Sequence, residues 1–588
     1  MTTADANRRA RSHSTVLHGL LIVGATLLFE ACAGGPGTGT PSPSGAAYDL
    51  VIENGRIVDG TGAAWHYGDV GVRGGHIVAM TPRGMLAHAS ASRRVDASGL
   101  VVAPGFIDIQ GQSGTSFLVG DGRDVSKITQ GITTEILGEG STPAPLNPAT
   151  LEENLPRGPQ RAALARTFAE PHGFRNWLEA MVAHGISPNV GSFVGAATVR
   201  VYAKQQTMGP PTAAELDTMR TVVRRAMEDG AMGMASALIY PPGNYATTGE
   251  LIEEAKAMSP YGGVYITHMR SEADKLLEAT DEAIRIGNEG RVPVEIYHLK
   301  AAGKDNWYKA KLEIAKIDSA RAAGLDVQAD MYPYTAGSTG LSACFPPAAS
   351  EGGKLMERLG DPAERAKIKA EVEHQTSDWE NLCTQAGPEN VLLVGFTKDA
   401  NKKWVGKRLS EVAQTMDTDW VTAAMDLVKA DSSRIGTVFF LMSEDNVKLQ
   451  LQQPWIKIGT DAGGMDPDTA KAKGVLTHPR AYGTYTKILG QYVREQHVLS
   501  LEDAIRKMTS AVATRLSIPD RGVLRPGFWA DIVVFDPKTI RDTNSYEDPH
   551  QISVGVVHVF VNGVEVVRDE KATGAKPGMV VWGPGVGR

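Results

Sequence analysis

The sequence predicts an α/β fold: a TIM-like (β/α)8 barrel with a small β-sandwich domain formed by both chain ends and an insertion between the last barrel strands. Three observations support this. Short strands with turn signals lie near both ends of the chain, helical stretches alternate with short apolar strands between them, and several of those strands end in His or Asp. In parallel barrels such strand ends converge on one mouth, where the chemistry is placed.

The chain ends are rich in short β segments. Asn-Gly and Gly-Gly pairs inside them are typical of hairpin turns. We predict turns at Asn54-Gly55, Gly74-Gly75 and Asn562-Gly563. The small β-sandwich domain is accordingly assigned to 47–103 and 520–588.

The middle of the chain, 104–519, is assigned to the barrel. Helical patterns cover 213–231 and 280–290, and the short strands are VYITH (264–268), VEIYH (294–298), LDVQAD (325–330) and WIKIGTD (455–461). At about 345–445 the alternation gives way to a charged, mainly helical stretch, which we interpret as the insertion.

The first 32 residues resemble a targeting segment. Three arginines precede an apolar run that is too short to span a bilayer comfortably. A small residue, Cys32 and a Gly/Pro/Ser-rich linker (33–46) follow. We therefore expect a lipoprotein signal over 1–32, with lipidation at Cys32 and export to the periplasm or cell envelope. Glu30 is unusual beside such a cleavage site, so a plain secretory signal or an uncleaved anchor stays open.

The two other cysteines are Cys344 and Cys383. In an oxidising compartment they could form a disulfide, but the sequence gives no distance between them. Two unpaired buried thiols are an equally good interpretation.

The composition is ordinary for a globular protein, with 42% hydrophobic and 22% charged residues and a formal net charge of −7. Proteins that bind nucleic acid usually show a basic face. We expect no nucleic-acid partner, and contact with a membrane only through the N-terminal lipid anchor.

Four polar residues follow apolar strands in this pattern: Glu139, His268, His298 and Asp461. Singly, each has an ordinary structural explanation, such as a helix cap for Asp461. Together, two imidazoles and a carboxylate suit Zn²⁺ with a position left for water, and a second carboxylate can take the proton from that water.

The chain resembles the amidohydrolase superfamily and, within it, the D-aminoacylase or N-acyl-D-amino-acid deacylase family. The matching text is VVAPGFID, ITQGITTEILGEG, ASALIYPPGNYA, THMRSE, YHLKAAG, DMYPYTAGSTGL, IGTDAGG, THPRAYGTY and VLRPGFWADIVVFDP. The resemblance implies that His268 and His298 hold a tightly bound zinc and that Asp461 is the general base. Glu139 stands where the family usually has a Cys thiolate.

Gln110 and Gln112 occupy the family's His-X-His positions, which serve a second, weaker metal. An amide is a poor zinc ligand beside imidazole, so we predict one zinc per chain, held by Glu139, His268 and His298. The glutamines are expected to hydrogen-bond each other, the water at the metal, or Asp461. An inactive site, or another metal held loosely, is the competing interpretation.

The same resemblance suggests residues that bind the substrate: Tyr240, Lys300, Tyr334, Ser338 and Arg480. In the family Tyr240 and Lys300 match positions that contact the substrate carboxylate, and Arg480 could clamp a carboxylate with two hydrogen bonds.

The predicted reaction is hydrolysis of a linear amide C–N bond in an N-acyl amino acid or short peptide, with D configuration implied only by the resemblance. Three alternatives stay open: a D-amino-acid or isoaspartyl peptidase, a cyclic amidase, and a non-catalytic binding protein on the same scaffold.

Overall fold

The computed structural model describes residues 47–148, 150, 155, 158–169, 171–374 and 379–587. The predicted signal segment and its linker lie outside these residues. Within the described part, no helix is both long enough and apolar enough to cross a membrane.

The strands lie in four sheets. In chain order they are β1 (Tyr48–Ile57), β2 (His66–Arg73), β3 (His76–Pro82), β4 (Ala91–Asp96), β5 (Val101–Pro104), β6 (Phe106–Asp108), β7 (Ile132–Leu137), β8 (Asn189–Ser192), β9 (Val194–Gly195), β10 (Gly233–Ala237), β11 (Val264–His268), β12 (Val294–Ile296), β13 (Val327–Met331), β14 (Ala336–Gly340), β15 (Val391–Gly395), β16 (Gly436–Phe440), β17 (Ile456–Ile458), β18 (Ile532–Phe535), β19 (Val556–Val561), β20 (Val564–Arg568) and β21 (Lys571–Ala572).

Strands from both chain ends form one nine-stranded sheet in the order β21-β20-β19-β18-β5-β1-β2-β3, with β4 beside β1. The antiparallel pair β5–β18 joins the two ends. Turns at Gly74-Gly75 and Asn562-Gly563 are confirmed. The turn predicted at Asn54-Gly55 is wrong: β1 continues through it with a register shift between Ile52 and Gly55. Asn54 adopts φ 65°, and its N–H donates to Asp69, so a left-handed residue produces a bulge here rather than a reversal.

The central barrel consists of parallel strands. The order β17-β13-β12-β11-β10-β9 forms one sheet and β6-β7-β8 another. Only Phe193 separates β8 from β9, so these two segments are one broken barrel strand that links the sheets. The barrel closes where Gly111, after β6, pairs with Ala462, after β17.

Helices connect the barrel strands, and their sequences explain where they form. In the helix Ala213–Glu228, the buried residues Met219, Val222, Val223, Ala226 and Met227 repeat at helical spacing. Its first turn is fixed by a capping box between Thr212 and Glu215.

The α-helices in chain order are α1 (Gly114–Val119), α2 (Val125–Ile128), α3 (Arg161–Thr167), α4 (Gly173–His184), α5 (Ala196–Lys204), α6 (Ala213–Glu228), α7 (Thr248–Met258), α8 (Leu276–Gly290), α9 (Lys309–Ala322), α10 (Leu355–Arg358), α11 (Pro362–Glu373), α12 (Leu382–Ala386), α13 (Leu409–Thr415), α14 (Trp420–Asp431), α15 (Glu444–Leu451), α16 (Pro467–Ala472), α17 (Arg480–Lys487), α18 (Leu501–Met508) and α19 (Ser510–Arg515).

Between β13 and β17 the chain builds a separate layer. It contains the antiparallel sheet β14-β16-β15 besides helices α10 to α14, so this segment is less helical than its charged sequence suggests. It has its own apolar core, and a disulfide joins Cys344 to Cys383 within it. We refer to residues 333–443 as the insertion.

Candidate active site

The predicted chemical residues lie at the carboxyl ends of barrel strands. Gln110 follows β6, Glu139 follows β7, His268 ends β11, His298 follows β12 and Asp461 follows β17. Because parallel strands of a barrel present these ends at one mouth, residues far apart in the chain meet here.

Glu139, His268 and His298 bring one ligand atom each to within 4.8 Å of one another. Oε1 of Glu139 lies 3.3 Å from Nδ1 of His268 and 3.2 Å from Nε2 of His298. Ligand atoms held about 2.0–2.1 Å from a tetrahedral zinc ion are about 3.3–3.4 Å apart. The donor types and their spacing therefore fit zinc.

The charge of this group also suits a cation. Burial disfavours ionisation of Glu139, but hydrogen bonds with His268 and His298 hold the pKa of its carboxyl well below the usual range. The carboxylate thus supplies the negative charge that a thiolate would supply elsewhere, without an oxidisable sulfur.

The glutamines contact the other oxygen of the same carboxylate. Nε2 of Gln110 and Nε2 of Gln112 donate to Oε2 of Glu139 over 2.8 and 2.6 Å. The expectation that they bond each other or the Asp461 side chain is wrong. The carboxylate of Glu139 is a stronger acceptor than an amide, and Oδ2 of Asp461 is paired with Arg480. Their N–H groups fix Glu139 so that Oε1 faces the imidazoles.

A second carboxylate, Glu272, supports both imidazoles from behind. Its Oε1 lies 3.0 Å from Nδ1 of His298, and its Oε2 lies 3.6 Å from Nε2 of His268. Lys300 donates to the same Oε1 over 2.6 Å and lies 2.6 Å from Nδ1 of His298. Such carboxylates orient ligand imidazoles. Lys300 was predicted to bind the substrate, but in the structure its amine contacts Glu272 and His298.

Asp461 lies on the opposite side of the group. Its Oδ2 is 4.0 Å from Nε2 of His298 and 2.8 Å from Nη1 of Arg480. Burial raises the pKa of Asp461 to about 6, although Arg480 opposes the shift. A carboxylate with such a pKa is suited to accept a proton near neutral pH.

Buried ionic contacts beneath the mouth fix the position of Asp461. The carboxylate of Asp108 accepts hydrogen bonds from Lys127 over 2.7 Å and from the N–H and hydroxyl of Thr460 over 2.9 and 2.6 Å. The N–H of Asp461 donates to the carbonyl of Gln110 over 2.9 Å. The first and last barrel strands are therefore locked together next to the candidate base.

A cavity of about 350 Å³ opens over these groups. It is lined by Glu139, His268 and Asp461 together with three predicted substrate residues, Tyr240, Ser338 and Arg480. This volume is in the range of small-molecule sites.

The remaining predicted substrate residue, Tyr334, packs against His478 and places its hydroxyl 3.5 Å from the carbonyl of Pro479. Tyr332 lines the adjoining cavity instead, beneath the guanidinium of Arg480. Three residues at the site were not predicted from the sequence: Tyr332, Glu272 and Arg434. The first two are in quoted motif text, whereas Arg434 has no motif around it.

Comparisons with known proteins agree with this geometry. A family model described as "Amidohydrolase family" matches residues 153–567. The N-acyl-D-glutamate deacylase of Alcaligenes xylosoxydans xylosoxydans is 34% identical over 88% of this chain and 93% of its own length.

Two solved structures are similar over 91% of this chain and 99% of their own. One is the N-acyl-D-glutamate deacylase of Bordetella bronchiseptica, complexed with zinc and a phosphonate that mimics the tetrahedral intermediate (32% identity, TM-score 0.73). The other is a D-aminoacylase with a binuclear metal centre, described by one-metal activation and second-metal attenuation (31% identity, TM-score 0.74).

Proposed function

Because this chain belongs to the amidohydrolase family, we propose that it deacylates N-acyl-D-amino acids, using one zinc ion held by Glu139, His268 and His298. The observation that carries the proposal is the convergence of these three ligand atoms beside the half-buried carboxylate of Asp461. A non-catalytic binding protein would have no need of that arrangement.

When bound, zinc acts as a Lewis acid that polarises a carbonyl and lowers the pKa of water. Asp461 takes the proton from the attacking water and delivers it to the amide nitrogen as the C–N bond breaks. Its pKa of about 6 leaves it ionised at neutral pH yet basic enough to accept the proton. Arg480 holds the carboxylate in place between the two transfers.

The two amides support the proposal of one zinc per chain. Both turn N–H donors toward Glu139, and the carbonyl oxygen that each amide keeps is a poorer zinc ligand than imidazole. The described residues contain one group of three converging ligands, which is the group at Glu139. The related D-aminoacylase is described as activated by one metal, so loss of the second position is compatible with activity.

We place the amino-acid carboxylate of the substrate against Arg480 and Ser338, which line the cavity together with Asp461. The D configuration is proposed from the relatives, which are N-acyl-D-amino-acid deacylases. Phosphonate binding by the Bordetella relative supports a tetrahedral intermediate of amide hydrolysis.

The test is turnover of N-acetyl-D- and N-acetyl-L-amino acids by the zinc-loaded chain expressed without its first 32 residues. We expect release of acetate from D substrates. Turnover of D-amino-acid dipeptides alone would favour the peptidase alternative, and turnover of cyclic amides alone the cyclic amidase. No turnover of any of these would contradict the proposal.

We also propose export and lipidation at Cys32. The Cys344–Cys383 disulfide supports an oxidising compartment. Labelled fatty acid should be incorporated into the full chain and not into a Cys32→Ala variant. Labelling of both chains, or of neither, would contradict lipidation.

A further inference from the structure

One arginine at the active-site cavity differs from the other cationic side chains there in its ion pairing. The lysine and arginine side chains that line this cavity and its two neighbours are Arg270, Lys300, Arg434 and Arg480. Three of them pair with carboxylates: Arg270 with Glu282 at 2.9 Å, Lys300 with Glu272 at 2.6 Å, and Arg480 with Asp461 at 2.8 Å. Among the described residues, Arg434 has no carboxylate within ion-pair distance.

The insertion holds Arg434 in place over the barrel mouth. Its guanidinium donates to the hydroxyl of Thr339 over 3.0 Å and lies 5.4 Å from the ring centre of Tyr240. A Cβ on Gly340 would lie 2.7 Å from Cβ of Arg434 and 3.0 Å from its Nε, so glycine keeps this space open. The side chain is exposed but oriented.

Arg434 lies close to the reacting groups. The Tyr240 ring beneath it is 5.2 Å from the ring of His268. Arg434 lines both the cavity over Asp461 and a second cavity of about 310 Å³ that continues past Tyr240. A group a few bonds from the scissile amide can therefore reach the guanidinium.

We propose that Arg434 is a specificity residue that binds a carboxylate in the side chain of the substrate, so that acidic N-acyl-D-amino acids are preferred. This rests on the proposed function, in which Arg480 and Ser338 receive the other carboxylate. A guanidinium with unused N–H donors recognises a carboxylate in a bidentate manner, and an isosteric amide satisfies it less well.

The test compares N-acetyl-D-glutamate with its isostere N-acetyl-D-glutamine, which differ in side-chain charge. Binding is measured by calorimetry in the zinc-loaded Asp461→Asn variant, with and without Arg434→Gln. We expect the glutamate ligand to bind about 10- to 100-fold tighter, as a charge-assisted pair predicts. Arg434→Gln should abolish this preference, Arg434→Lys should keep part of it, and Arg365→Gln on the insertion surface should keep all of it.

Equal binding of the two ligands, or no binding of either, would overturn the proposal. Equal weakening of both by Arg434→Gln would also overturn it, because it would place Arg434 at the carboxylate that both ligands share. Turnover of N-acetyl-D-glutamate and of N-acetyl-D-methionine by the wild type tests the deacylase function separately. A glutamate preference in binding without turnover of any substrate would contradict the deacylase function and leave the assignment of Arg434 standing.

Discussion

The barrel mouth and the insertion both line the active-site cavity, but they contribute different atoms. The mouth contributes the zinc ligands and the base from strand ends that are locked by buried hydrogen bonds. The insertion contributes Ser338 and Arg434, from a separate layer with its own core and a disulfide. We therefore expect substitutions at the mouth to lower kcat or zinc binding, whereas substitutions in the insertion should alter which substrate is bound.

The largest effect is expected at the base. Asp461→Asn keeps the size and removes the proton acceptor, so kcat should fall by about 10²- to 10⁴-fold. Zinc content measured by atomic absorption should stay at the wild-type value, because Asp461 is not among the three proposed ligands. A variant with wild-type kcat would remove Asp461 from the proposed mechanism.

A substitution of Glu272 tests whether the carboxylate that contacts both ligand imidazoles strengthens zinc binding. Glu272→Gln removes the carboxylate beside both imidazoles, and zinc affinity should fall about 10- to 100-fold in competition with a chelator. Glu313→Gln is the matched control. Burial raises the pKa of Glu313 well above its usual range and so favours the neutral carboxyl, which glutamine resembles, and the zinc affinity of the control should equal that of the wild type. Equal losses in both variants would point to general destabilisation.

The pH profile tests the environment of the base. Below its pKa Asp461 is protonated and cannot accept a proton, so kcat/KM should fall about tenfold per pH unit on the acid side. Burial raises the pKa of Asp461 to about 6 and bound zinc adds positive charge that lowers it, so the midpoint should lie at or below about pH 6. A midpoint above pH 7 would contradict Asp461 as the base.

The smallest effect on activity is expected at the disulfide. Cys344 and Cys383 tie together two segments whose neighbours Ala343, Phe345 and Leu382 line the cavities. Replacing both cysteines by alanine should raise KM a few fold and leave kcat within about twofold, because the barrel strands are untouched.

The same variant should lose stability in the insertion. The bridge spans a sequence separation of 39, for which loop closure predicts about 3–4 kcal/mol. Faster hydrogen exchange confined to the insertion would agree with this. A collapse of kcat would show that the insertion also holds the catalytic groups.

Many of the catalytic residues in the barrel could be predicted from the sequence. A polar residue that directly follows a short apolar strand of a parallel barrel lies at the mouth, whatever the loops do. His268 and His298 are such residues, and parallel pairing brings them together without knowledge of any loop. Interactions of the glutamines could not be predicted, since they depend on which oxygen of Glu139 faces which strand. The turn predicted at Asn54 was wrong because an Asn-Gly pair suits a bulge within a strand as well as a turn between two strands.

The insertion was far less predictable. Arg434 approaches Tyr240 across a long sequence separation, and no periodicity or motif indicates that contact. Tyr332 and Tyr334 stand two residues apart in one motif, and both rings pack against His478. The guanidinium of Arg480 lies over Tyr332, whereas the amine of Lys487 lies over Tyr334. Contacts between layers depend on packing rather than on local pattern, so they appear only in the structure.

We propose that one zinc ion, held by Glu139, His268 and His298, is sufficient for deacylation. The most direct test is a titration of the metal-free enzyme with zinc while hydrolysis of an N-acetyl-D-amino acid is followed. We expect activity to rise linearly and to reach its maximum at one zinc per chain, with no rise in a His298→Ala variant. A maximum at two zinc ions per chain, or full activity without zinc, would contradict the proposal.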